Sequence, residues 1–152
     1  MNSEKFISKS PEETKAFGIH LAKCLKGGDI ICLFGDLGSG KTTLIKGIAA
    51  GLNINPTNVN SPTFVLMNIY EGLPPLYHFD LYRLEDLHGI SSIGYEEFLY
   101  GQGVSVIEWA DRLGKYLPEQ YLKIELKHKK LNERAIRLSA KNRNFNYESF
   151  MY

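Results

Sequence analysis

The pattern of apolar and polar residues at the start of the chain predicts a short strand followed by a helix. Residues 5–8 favour a strand. Ser10 is placed to cap the helix, Pro11 suits its first position, and Glu13 completes a capping box. Apolar residues at helical spacing then define one buried face, and Gly27-Gly28 predicts the end of the helix.

A continuous apolar run comes next and is followed by a second helical pattern. Residues 30–34 (Ile-Ile-Cys-Leu-Phe) predict a strand that is covered on both faces. Residues 35–40 form a glycine-rich loop, and residues 42–52 carry apolar side chains at helical spacing. The chain thus begins with strand, helix, strand, loop and helix.

The second half of the chain alternates strand patterns with turns. The predicted elements are strands at 64–70 and 76–81 joined by a turn at 71–75, short helices within 83–101, and strands at 104–107, 122–126 and 135–138. The polar run 127–130 is expected in a solvated turn. Together the elements predict a single α/β domain over 1–152 with a mostly parallel central sheet, an antiparallel portion and helices on both faces. Residues 1–140 form the predicted core, and 141–152 are a tail without a structural signal.

Charge and composition narrow the possible functions. The 152 residues contain 18 Lys and Arg and 17 Asp and Glu, so the net charge is +1. This balance argues against a broad basic surface as the main device for holding nucleic acid. The chain has no apolar run long enough for a membrane span, and no signal peptide is expected because its first residues lack a basic start that leads into an apolar stretch. Cys24 and Cys32 do not form a metal or disulfide motif, so a cytoplasmic protein is expected.

Residues 35–42 (Gly-Asp-Leu-Gly-Ser-Gly-Lys-Thr) match the phosphate-binding loop pattern G-x-x-x-x-G-K-[ST]. Glycines allow successive backbone N–H groups to turn toward phosphate oxygens, and the helix that follows offers its positive end. Lys41 would place its charge on the β- and γ-phosphates, and the Thr42 hydroxyl would bind Mg²⁺. The candidate nucleotide-binding residues of this segment are Asp36, Leu37, Gly38, Ser39, Gly40, Lys41, Thr42 and Thr43.

Phosphoryl chemistry also needs a carboxylate near the metal, and two residues are suitable. Glu108 and Asp80 each end an apolar strand pattern. The strand ends beside a phosphate loop are where this topology places its ligand site. For either residue the alternative is an acid that caps a turn or pairs with a surface cation.

Four sequence blocks together resemble the TsaE family, also called YjeE. They are residues 35–43, Ser61-Pro62-Thr63-Phe64, residues 78–83 (His-Phe-Asp-Leu-Tyr-Arg) and Glu108-Trp109. The resemblance extends from about residue 5 to 140. It implies a small P-loop NTPase that hydrolyses ATP with Mg²⁺. It further implies work with TsaB and TsaD in forming threonylcarbamoyladenosine at position 37 of tRNAs that read codons beginning with adenine, with ATP hydrolysis acting as a switch. Because the net charge is close to zero, we expect this chain to contact tRNA only indirectly, through those partner proteins.

The resemblance also implies roles for individual residues. Thr42 and Glu108 become the expected Mg²⁺ ligands, and Asp80 becomes an acid near the γ-phosphate. Catalysis would therefore depend on Lys41, Asp80 and Glu108. The remaining implied positions are a switch-like loop (Ser61, Pro62, Thr63), the neighbourhood of the base (Ser10, Thr14), and residues with a partner-binding or structural role (Tyr82, Arg83, Trp109, Arg134).

Two other functional classes share the phosphate loop. A small-molecule kinase would need a lid rich in arginine, whereas the five arginines of this chain form no cluster in the sequence. A GTPase would need an Asn-Lys-x-Asp motif to read guanine, and the chain does not contain one. Hydrolysis by the chain alone is expected to be slow, because no arginine is recognisable in the sequence as one that would stabilise the transition state.

Overall fold

The computed structural model describes residues 3–35, 38–60, 67–82 and 94–145, and its strands form one seven-stranded sheet. The strands are β1 Ser3–Ser8, β2 Ile30–Phe34, β3 Met67–Tyr70, β4 Leu76–Asp80, β5 Val104–Glu108, β6 Tyr121–Lys130 and β7 Glu133–Lys141. The helices are α1 Pro11–Ala22, α2 Lys41–Gly51 and α3 Tyr95–Leu99, with 3₁₀ segments at Pro56–Asn58 and Ala110–Tyr116.

The sheet order is β1-β7-β6-β2-β5-β4-β3. The four inner strands β6, β2, β5 and β4 are parallel to one another. The outer pairs are antiparallel: β7 pairs with β6 and with β1 on one side, and β3 pairs with β4 on the other. Half of the six pairings are therefore antiparallel, and the prediction of a mostly parallel sheet is wrong in its balance. Short turns make β3–β4 and β6–β7 antiparallel, as their spacing predicts, and the difference comes from β1, which pairs antiparallel with β7 at the other end of the chain.

Helix α1 begins as predicted and ends earlier than predicted. The Glu13 N–H donates to Ser10 Oγ at 3.1 Å, which confirms the cap. The helix stops at Ala22, five residues before Gly27, so the prediction that Gly27-Gly28 ends it is wrong. Asp29 supplies one physical reason, because its carboxylate accepts the N–H of Lys26 at 2.8 Å and gives that group a non-helical partner.

The β6–β7 hairpin is longer than its apolar pattern predicts. The polar residues 127–130 continue strand β6, and only 131–132 form the turn, so the predicted solvated turn at 127–130 is wrong. Register with β7 explains this, because Lys127 lies opposite Ala135 and His128 opposite Arg134. Ladder hydrogen bonds hold these residues in the strand, and their side chains point outward.

The central strands of the sheet are covered on both faces, as predicted. Ile31 and Leu33 point toward α1 and α2 and belong to the larger buried cluster. Cys32, between them on β2, points to the other face, where it packs with Leu99 of α3 and Leu113 of the second 3₁₀ segment. The apolar run of β2 therefore contributes to two cores. Among the described residues, no helix combines the length and apolar character needed to cross a membrane.

Candidate functional site

The glycine loop leaves the carboxyl end of β2 and leads directly into α2. Gly38 and Gly40 have φ values of 79° and 103°, a left-handed conformation that favours glycine. Gly40 precedes the first turn of α2, which has no side-chain cap. The first N–H groups of α2 are thus available to an anion, as the sequence pattern predicts.

Lys41 is buried at the start of α2, with 6% of its surface exposed. Its ammonium group donates to the carbonyl oxygen of Gly35 and lies 3.9 Å from the ring centroid of Trp109. The nearby Ser39 hydroxyl is buried, and no partner for it is found within the part of the chain that the structure describes. The loop therefore places a cation and a buried hydroxyl at the entrance of the helix. Asp36 and Leu37 lie outside the described residues.

The two candidate carboxylates stand side by side at the carboxyl ends of β4 and β5. Asp80 and Glu108 are direct register partners, with 5% and 4% of their surfaces exposed. Asp80 Oδ1 accepts the N–H of Tyr82 at 3.0 Å, so it does cap a turn through one oxygen. Glu108 Oε2 lies 2.6 Å from His78 Nε2. The acids are buried and ordered at the edge where parallel strands place ligands.

His78 is a site residue to which the sequence assigns no role. It is completely buried on β4, and its ring bridges to Glu108, thirty positions further along the chain. The strand alternation does predict that His78 shares a face with Asp80. The contact with Glu108 depends on the pairing of β4 with β5, which no local pattern reveals.

A cleft of about 470 Å³ joins the loop to the carboxylates. Its lining comprises Gly38, Gly40, Lys41, Thr42, Thr43, Asp80, Tyr82, Glu108, Trp109 and Arg134. The structure thus brings together most of the residues singled out from the sequence. Ser10 and Thr14 lie beside it, in a pocket of about 40 Å³ that shares Gly40, Thr43 and Arg134 with the cleft. Their hydroxyl oxygens are already engaged, by the Glu13 N–H and by Ser8 Oγ respectively.

Three residues without an assigned reaction role border the cleft. Arg134 reaches from β7 to the loop, where its Nη2 donates to the Gly38 carbonyl at 3.2 Å. Trp109 has a left-handed backbone conformation with φ of 59°. The ring centroids of Tyr82 and Trp109 are 5.0 Å apart. Trp109 is half-buried and faces Lys41, so it packs on the cleft as well as on the core.

The switch-like loop Ser61, Pro62 and Thr63, together with Arg83, lies outside the described residues. The residue before that loop is held firmly. The Asn60 N–H donates to Tyr70 Oη at 3.0 Å, and the Tyr70 hydroxyl donates to the Asn60 carbonyl at 3.1 Å. Asn60 is therefore anchored to Tyr70 of β3.

The donor set of the cleft suits Mg²⁺. Thr42 offers a hydroxyl oxygen, and Asp80 and Glu108 offer carboxylates, which are the hard oxygen ligands that Mg²⁺ prefers. Within the described ranges no group of three or more His, Cys, Asp or Glu could hold a metal ion. Mg²⁺ commonly binds with only one or two carboxylates, substrate phosphates and water. The residues present therefore fit a magnesium–nucleotide site.

Comparisons with known proteins agree with the sequence blocks. The model of the family described as threonylcarbamoyl adenosine biosynthesis protein TsaE matches residues 8–136. The chain is 44% identical over 141 residues to the tRNA threonylcarbamoyladenosine biosynthesis protein TsaE of Bacillus subtilis, covering 92% of this chain and 87% of that protein. It is 41% identical to the TsaE protein of Treponema pallidum over 121 residues, with 80% and 89% covered.

A solved structure shows the same fold. The crystal structure of Bacillus subtilis YdiB superposes with a TM-score of 0.76 at 38% sequence identity, covering 91% of this chain and 86% of that one. The residues matched by the family model, 8–136, include the glycine loop and both carboxylate strands. The chain therefore belongs to the TsaE family of threonylcarbamoyl adenosine biosynthesis proteins.

Proposed function

We propose that this protein hydrolyses ATP with Mg²⁺ as the nucleotide-dependent switch of tRNA threonylcarbamoyladenosine formation, acting with TsaB and TsaD in the cytoplasm. The observation that carries the proposal is the cleft. It places an uncapped helix N-terminus, a buried lysine and two buried carboxylates around one space. That combination provides positive charge for phosphates and oxygen ligands for a metal ion.

The loop and Lys41 bind the triphosphate. The N–H groups at the start of α2 donate hydrogen bonds to phosphate oxygens. The Lys41 ammonium leaves the Gly35 carbonyl and the Trp109 ring and binds the β- and γ-phosphates instead. Arg134, which already contacts Gly38, stands over the same loop and faces the pocket of Ser10 and Thr14. We assign that pocket to the nucleoside end of the ligand.

The carboxylates act at the other end of the cleft. Thr42 and Glu108 would hold Mg²⁺, which neutralises the charge on the phosphates when it is bound. Asp80, adjacent to Glu108 in the sheet, orients the water that attacks. Ser61, Pro62 and Thr63 form the switch, with Thr63 responding to the γ-phosphate, and Asn60 anchors its first end. Tyr82 and Arg83 are assigned to partner contacts.

Release of phosphate from ATP tests the assignment. Lys41→Ala and Glu108→Ala should each lower the rate of hydrolysis by a factor on the order of 10² or more, since each removes charge that the transition state needs. Lys46→Ala, on the same helix but outside the cleft lining, is the matched control and should hydrolyse ATP like the parent. TsaB and TsaD should raise the parent rate.

Three results would contradict this proposal. Undiminished hydrolysis in both site variants would remove the site. Transfer of the phosphoryl group to a metabolite in place of phosphate release would favour the small-molecule kinase. Tighter binding of GTP than of ATP, measured by calorimetry, would overturn the choice of base.

A further inference from the structure

A groove on the sheet, on the face opposite α1 and α2, concentrates positive charge. Residues on the exposed side of β1, β6 and β7 line it: Lys5, Glu125, Lys127, Lys129, Ala135 and Arg137. Lys123 joins this set because its ammonium lies 3.4 Å from Glu125 Oε1. We call these seven residues the basic groove. The other side of the same strands carries Leu122, Ile124, Leu126, Ile136 and Leu138, which are buried in the core.

The charge of the molecule is therefore unevenly distributed. Five of the 18 Lys and Arg residues lie in the basic groove, together with one of the 17 Asp and Glu residues. The groove carries +4, which leaves −3 for the rest of a chain whose total is +1. Net charge conceals this separation, because the alternation of side chains along β6 sends every second residue to the same face.

The cations of the basic groove are only partly neutralised by groups of this chain. Lys5 and Arg137 are direct cross-strand partners, and like charges in such positions destabilise a sheet. The one carboxylate of the groove, Glu125, is paired with Lys123 and lies opposite Arg137 on β7, so it offsets only one of the five positive charges. Lys5, Lys127, Lys129 and Arg137 are all exposed. Their charge is thus available to a partner in solution.

We propose that the basic groove binds the sugar–phosphate backbone of RNA. Neighbouring cations are spaced by the sheet at roughly 5 Å across strands and roughly 7 Å along a strand. A nucleic acid strand carries one negative charge per roughly 3.4 Å of helix axis, which provides a phosphate for each cation. Lys and Arg side chains make most contacts of this kind.

The composition of the groove favours RNA over an acidic protein. Interfaces between proteins are depleted of lysine and enriched in aromatic residues at their centre. Here three of the six lining residues are lysine, and none is aromatic. Interfaces with nucleic acid are, by contrast, polar and strongly positive. The proposal departs from the expectation, based on net charge, that RNA contact comes only through partner proteins.

The groove also lies close to the nucleotide cleft. Phe34, the last residue of β2, is opposite Glu125 on β6, so Lys127 and Lys129 extend past the end of β2 beside the glycine loop. RNA bound in the groove would pass close to the end of β2 where the cleft opens, but on the opposite face of the sheet. This contact requires neither ATP nor its hydrolysis, so it is tested separately from the proposed function.

Binding of labelled tRNA to the full chain, measured by fluorescence anisotropy from 25 to 200 mM salt, tests the proposal. The groove variant is Lys127→Gln/Lys129→Gln/Arg137→Gln. The control is Lys23→Gln/Lys26→Gln/Lys46→Gln, which lowers the net charge by the same three units on or beside the helices. We expect the parent and control to bind with a similar dependence on salt. The groove variant should lose at least about tenfold in affinity at 50 mM salt, and its log–log salt slope should be shallower by roughly two to three.

Several results would overturn the proposal. One is an absence of tRNA binding by the parent at 25 mM salt. Another is an equal loss of tRNA affinity in the groove variant and the control variant. A groove variant that binds tRNA like the parent but no longer co-elutes with TsaB and TsaD would assign the groove to a protein. The rate of ATP hydrolysis should be unchanged in both triple variants. An unchanged rate shows that the variants fold and that any loss of tRNA binding does not come from damage to the cleft.

Discussion

The contact between His78 and Glu108 controls the geometry of the cleft at the scale of single residues. His78 is completely buried, so its ring is held by the surrounding core. Its Nε2 lies 2.6 Å from Glu108 Oε2, while Nδ1 has no partner among the described residues. Glu108 is a proposed Mg²⁺ ligand, and an imidazole N–H that donates to such a carboxylate would fix its direction. His78 is therefore a positioning residue for Glu108.

Replacing His78 with Phe should weaken the binding of Mg²⁺–ADP and raise the magnesium concentration needed for hydrolysis, each by roughly 10- to 100-fold. The aromatic ring fills the buried site but cannot donate to Glu108. His78→Gln, which keeps a donor, is the matched variant and should retain more of the binding. Calorimetry at several magnesium concentrations measures the effect. If both variants bind Mg²⁺–ADP like the parent, His78 has only a packing role.

At the scale of secondary-structure elements, the packing of α1 against α2 determines where α2, the helix that follows the phosphate loop, lies. The two helices approach so closely that side chains are excluded from the contact. A Cβ on Gly47 would lie 2.2 Å from the carbonyl oxygen of Lys15, and one on Gly18 would lie 2.5 Å from that of Leu44. Since α2 begins at Lys41, a shift in this contact would move the site.

We expect Gly47→Ala to lower the free energy of unfolding by about 1–3 kcal/mol, the usual cost of overpacking. This is opposite to the intrinsic helix preference, which favours Ala over Gly. Lys46→Ala, one position earlier, should change stability by less than about 0.5 kcal/mol. Urea denaturation of the three proteins measures both effects. A more stable Gly47→Ala protein would show that the helices can separate without cost.

The elements predicted from sequence are accurate where local signals are complete. The capped start of α1, the apolar strand β2 and helix α2 lie within one residue of their predicted positions. The end of α1 is predicted wrongly although its cause is local, because the apolar pattern does not show that the Asp29 carboxylate accepts the N–H of Lys26. The polar half of β6 is predicted wrongly because a partner strand, β7, decides the outcome. The same limit applies to the site, because the motif predicts Lys41 and Thr42 whereas the contact of Arg134 with Gly38 depends on the sheet.

At the scale of the whole molecule, the core on the α3 side of the sheet holds ionisable groups that are neutral at neutral pH. Burial raises the pKa of the Cys32 thiol from its ordinary value of 9.0 to about 12. Burial, assisted by the negative charge of Glu96, raises the pKa of Tyr95 from 10.0 to about 12. In the unfolded chain both groups would lose their protons at lower pH. Between about pH 9 and 12 the folded state therefore holds protons that the unfolded state releases.

The stability of the protein should consequently fall as the pH rises through this range. The free energy of unfolding decreases with pH wherever the unfolded state binds fewer protons, and the contribution of both groups is fully present below about pH 9. Tyr95→Phe keeps the ring in the core and removes one titrating group. Its stability should decline less steeply from pH 10 to 11.5, with up to one proton fewer released on unfolding. Urea denaturation at intervals of half a pH unit measures the slope. An unchanged slope in Tyr95→Phe would mean that the hydroxyl ionises as readily in the folded protein as in the unfolded chain, which would contradict its burial in this core.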